Sequence, residues 1–64
     1  MASESLKRKI ARKIAAAERV IQTNKNKEII ESAEEEIINL TSKYNLSLKD
    51  MMDIDDMVQN ILKN

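Results

Sequence analysis

Sixty-four residues without cysteine, histidine, glycine or proline make one small domain that no disulfide can staple and that offers no structural zinc ligands beyond carboxylates. Its formal net charge of +0 hides a division: residues 1–27 carry eight Lys or Arg against two Glu, and residues 28–64 carry three Lys against nine Asp or Glu. With Tyr44 as the sole aromatic residue, the core must be aliphatic, and stability must come from packed helices or from self-association.

The first predicted helix covers residues 5–23, with Ser3 or Ser5 as its N-cap. At about 100° per residue, with Leu6 as zero, Leu6, Ile10, Ile14, Ala17, Val20 and Ile21 fall within about 120° of arc. On the same wheel Arg8, Arg12 and Arg19 lie at about 200°, 240° and 220°, a line about 16 Å long on the side away from that stripe. Lys7, Lys9 and Lys13 flank the stripe, within expected reach of carboxylates such as Glu34, Glu36 or Asp55 on the later helices.

Asn24-Lys25-Asn26 follows as a turn, in which asparagine supplies the cap and tolerates turn geometry without glycine. The second predicted helix covers residues 27–44. Its Ile30, Ala33, Ile37, Leu40 and Tyr44 form a heptad-spaced seam, which Ile29 widens.

The third covers residues 48–62 and has the clearest start. Ser47 is the expected N-cap, Asp50 stands where a capping box needs its acid, and Leu46 with Met51 forms the matching staple. Leu48, Met51, Ile54, Val58, Ile61 and Leu62 make its apolar side, with Met52 and Met57 on the flanks.

Connections this short predict antiparallel neighbours and an all-α, small antiparallel three-helix bundle filling a single domain, 1–64. A competing arrangement keeps the first two helices as a hairpin and lends the third to a second chain, a homodimer. The longest apolar run of the first half, 14–17, is too short for a signal h-region or a membrane span, which predicts a cytoplasmic protein with no membrane partner.

Catalysis finds little support. There is no His or Cys and no Gly-rich loop for phosphate. General-acid work needs a desolvated carboxyl group, and Glu34, Glu35, Glu36, Asp53, Asp55 and Asp56 are expected mostly in water. Asp53-Ile54-Asp55 begins like a calcium loop, but Met57 and Val58 stand where the loop needs an oxygen ligand and glycine. No enzyme activity, cofactor, metal or small-molecule substrate is therefore expected.

The arginine line is the candidate site, because guanidinium groups suit bidentate recognition of carboxylate or phosphate. With Lys9, Arg8, Arg12 and Arg19 are expected to bind an acidic protein surface, helped by an adaptable patch around Met52 and Met57. The expected function is thus a non-catalytic interaction or regulatory module. The alternative is non-specific nucleic-acid binding through Lys7-Arg8-Lys9 and Arg12-Lys13. Sequence-specific reading by the third helix is disfavoured, since Asp50, Asp53, Asp55 and Asp56 would repel phosphate. Single-strand stacking lacks the aromatic residues it needs.

Overall fold

A computed structural model describes residues 2–63; Met1 and Asn64, the ends of the expected 1–64 domain, lie outside the described residues. It contains three helices, α1 (Glu4–Thr23), α2 (Lys27–Lys43) and α3 (Leu48–Lys63), and no strand among the described residues. The expected all-α three-helix bundle is what forms, with helix ends within a residue of the sequence-based limits.

Local chemistry sets those ends. Ser3 caps α1, its hydroxyl accepting from the Leu6 N–H at 3.1 Å. Asn26 caps α2 through the Glu28 N–H at 3.0 Å. At α3, Ser47 Oγ accepts from the Asp50 N–H at 3.1 Å, and Asp50 Oδ2 accepts from the Ser47 N–H at 3.2 Å. That reciprocal pair is the capping box the sequence predicts.

The helices are not equal partners. α1 packs on both α2 and α3, while α2 and α3 touch each other only marginally. Pairs such as Ala17 with Ala33 set α2 antiparallel to α1; Lys7 with Asp53 and Arg19 with Ile61 set α3 parallel to it. The core joins Ile10, Ala11, Ile14 and Ala15 of α1 to Leu40 of α2 and to Ile54 and Val58 of α3.

This arrangement corrects the expected core stripe of α1. Its buried residues are Lys7, Ile10, Ala11, Ile14, Ala15 and Ala17, an arc from about 20° to about 180° on the same wheel. A helix covered by two neighbours buries a wider arc than one at a corner, and here the arc extends through Ala11 and Ala15 toward α3. Conversely, Leu48, Met51 and Ile29, assigned to apolar seams, are exposed.

Candidate functional site

The arginines sit on the α3 shoulder of the exposed face of α1, not directly opposite the core. Arg8 and Arg12 are one turn apart and both exposed. With Ala11 they form one wall of a groove of about 240 Å³, open to solvent, whose other wall is Met57, Asn60 and Ile61 of α3. Among the described residues neither arginine has a carboxylate within ion-pairing distance.

Arg19, expected to face outward with the other two arginines, has a partner within the chain. Its Nη2 donates to the Ile61 carbonyl at 3.1 Å. Ile61 lies in the last turn of α3, where carbonyls lack helical donors and the helix dipole attracts positive charge. Arg19 therefore ties α1 to the end of α3, and this use is structural.

The methionines separate. Met57 is half-buried against the core and completes the wall facing Arg8 and Arg12. Met52 is 62% exposed and falls on the other flank of α3, so it does not share a patch with Met57. Lys9 is exposed on the remaining part of the α1 surface. The structure thus brings together Arg8, Arg12 and Met57, assigns Arg19 to a cap, and leaves Lys9 and Met52 apart from that groove.

Sequence reasoning missed one ionic site. Lys7, expected at the flank of the stripe, is buried. Its Nζ lies 2.7 Å from Asp53 Oδ2, 3.5 Å from Glu4 Oε2 and 3.9 Å from Asp50 Oδ1, rather than near Glu34, Glu36 or Asp55. The hydrogen bond to Asp53 raises the Lys7 pKa above its ordinary value, against the opposing effect of burial. Asp50 is almost completely buried, and its Oδ2 also accepts from the Ala2 N–H at 3.2 Å. That bond, with those from Ser47 and the charge of Lys7, lowers the Asp50 carboxyl below its ordinary range despite burial.

Every acceptor in this cluster is committed to the N-terminal end of the bundle. It joins the segment before α1, the first turns of α1 and the cap of α3, and is a structural clasp. Among the described residues no three His, Cys, Asp or Glu side chains converge to hold a metal ion. No helix among them is long and apolar enough to cross a membrane. Comparison with protein families, with curated proteins and with solved structures finds no match to this chain.

Proposed function

We propose that the chain is a non-catalytic interaction module that docks on an acidic protein surface through the exposed face of α1 and regulates the protein it covers. The observation that supports this reading is the pair Arg8 and Arg12: exposed, one turn apart, without a carboxylate partner among the described residues, and beside an apolar wall of Met57 and Ile61. Arginines four residues apart on a helix present two forks to one line of carboxylates. Apolar contact next to them removes water from those pairs and strengthens them. Lys9 extends the positive field along α1 and steers the approach of an anionic partner.

The test compares the parent with an Arg8→Ala/Arg12→Ala variant in pull-downs from the native host, at two salt concentrations. Exposed ion pairs at about 0.2–1 kcal/mol each place the expected loss of affinity at about 2- to 30-fold. Equal recovery of the same proteins by parent and variant would refute the reading. Tight, steeply salt-dependent binding of oligonucleotides by the parent, lost in the variant, would favour the nucleic-acid alternative.

A further inference from the structure

We propose that the opposite side of the molecule, the cleft between α2 and α3, binds an amphipathic helix of another protein that is apolar along one side and carries Lys or Arg at its edges. The cleft exists because α2 and α3 both lean on α1 and barely meet each other. It is a groove of about 260 Å³ with Ile14 of α1 among its lining residues, Ile37 on one wall and Met51, Ile54 and Val58 on the other.

Apolar surface concentrates there. Of the large hydrophobic side chains left exposed among the described residues, Ile38, Leu48, Met51 and Met52 share this side, and only Ile29 lies in a different groove. Met51 lines the cleft itself. Leu48 precedes Met51 by three residues, Met52 precedes Asp55 by three, and Ile38 precedes Thr41 by three, so helical spacing brings each to the rim. From Leu48 to Leu62 the α3 wall runs about 21 Å, the length of four turns, which suits anchors at i, i+3 or i+4, and i+7 of a docked helix.

The area agrees. The chain exposes 4873 Å², whereas a compact monomer of 7.4 kDa exposes about 4,200 Å². The difference is of the size that one partner buries in a standard protein interface, about 800 Å².

Charge selects the occupant. The groove is lined by the carboxylates Glu18 and Asp55 and by no Lys or Arg. A second copy docked by two-fold symmetry would set Glu18 and Asp55 against their own counterparts around an apolar patch, a costly juxtaposition. The basic face of this chain is the arginine side of α1, where none of the exposed large hydrophobic side chains lies. A second copy could bring its Arg8 and Arg12 groove to this cleft only head to tail, a contact that does not close on itself, whereas a foreign basic amphipathic helix fills the cleft alone.

The experiment is fluorescence anisotropy with two synthetic helical peptides of about four turns, both with leucine at i, i+3 and i+7 spacing. One carries Lys at the flanking positions and the other Glu. The expected result is binding of the Lys peptide, with the Glu peptide at least about tenfold weaker. In a Glu18→Lys/Asp55→Lys variant the preference should invert, a readout that an unfolded variant could not give. A Leu48→Ser/Met52→Ser variant should weaken both peptides while its helical circular dichroism is unchanged. Failure of the Lys peptide to bind the parent, equal binding of both, or an uninverted preference in the Lys variant would overturn the proposal. So would a parent chain that sediments as a dimer and becomes monomeric in the Leu48→Ser/Met52→Ser variant. None of these variants touches Arg8 or Arg12, so failure here leaves the reading of the α1 face standing.

Discussion

Replacing Ala15 with leucine separates this fold from the one that large apolar spacing alone would draw. On the stripe of Leu6, Ile10, Ile14 and Ala17, position 15 falls on the polar side, and a larger apolar residue there should be harmless. In the structure Ala15 is 1% exposed and belongs to the core that joins α1 to α3. Three extra carbons at a closed contact force side chains off their rotamers or push the helices apart, at about 1–3 kcal/mol. Helix propensity does not confound the test, because Ala and Leu are both strong helix formers. A 64-residue chain has a total stability of about 3–10 kcal/mol, so the loss is a sizeable share of the whole. It corresponds to a fall in Tm of about 5–20 °C. Urea unfolding followed at 222 nm measures it, with Ala16→Leu as the exposed control, expected within about 0.5 kcal/mol of the parent. An Ala15→Leu chain as stable as that control would refute α1 as the central helix.

Two further outcomes follow from the clasp at the N-terminal end of the bundle. Asp50 has a carboxyl pKa below its ordinary 3.8, so its contribution is present above that value and is lost as pH falls through the folded pKa. Lys7 is raised above 10.5, so its contribution is present below that value and is lost as pH rises through the folded pKa. The urea midpoint should therefore hold between these limits and fall on both sides, and Asp50→Asn should flatten the acid side. An unchanged acid limb in that variant would refute the assignment. Separately, Ser47→Ala removes the acceptor for the Asp50 N–H and should cost about 1 kcal/mol, lowering Tm by about 4–8 °C, while Ser47→Thr retains most of the stability. Differential scanning calorimetry checks this, and identical Tm values for Ser47→Ala and the parent would remove the capping box from the account.

The features legible in the sequence are those in which a residue acts on its own neighbourhood. Ser47 and Asp50 are three residues apart, so their reciprocal bonds need no tertiary information, and the same holds for the caps at Ser3 and Asn26. The alanines were illegible because a methyl group is compatible with either face of a helix. Only the second neighbour of α1 decides that Ala11 and Ala15 are core. Lys7 and Arg19 were misplaced for a related reason. Their partners, Asp53 and the Ile61 carbonyl, stand 46 and 42 residues away. Both depend on the side of α1 against which α3 packs: the short connections predict that α3 runs parallel to α1, but nothing in the spacing or charge of α1 specifies the handedness of the bundle. For Met52 and Met57, composition signals adaptable surface, but only the docking angle of α3 puts one at a rim and the other against the core.

The division of charge along the chain need not have survived folding, because a basic first segment packed on two acidic helices has every chance to neutralise itself. Packing prevents it. The close approaches of α1 to its neighbours are made by alanine, isoleucine, leucine and valine, and cations at such contacts would lose hydration without gaining a partner. Lys7 is the exception, since α3 brings Asp50 and Asp53 to it at one end of the bundle. The only other ion pair bridging the two halves of the sequence among the described residues is Lys27 with Glu31, neighbours on the surface of one helix. Arg8, Lys9, Arg12 and Lys13 are left in solvent on α1, while Glu34, Glu35, Asp55 and Asp56 are left in solvent on the other two helices. At physiological salt, fields are screened beyond about 8 Å, which is less than even the shortest 16 Å extent of the fold, so each face acts on its surroundings almost independently. One short chain with zero net charge thus presents two surfaces of opposite sign, and a partner attracted to one is not repelled by the other.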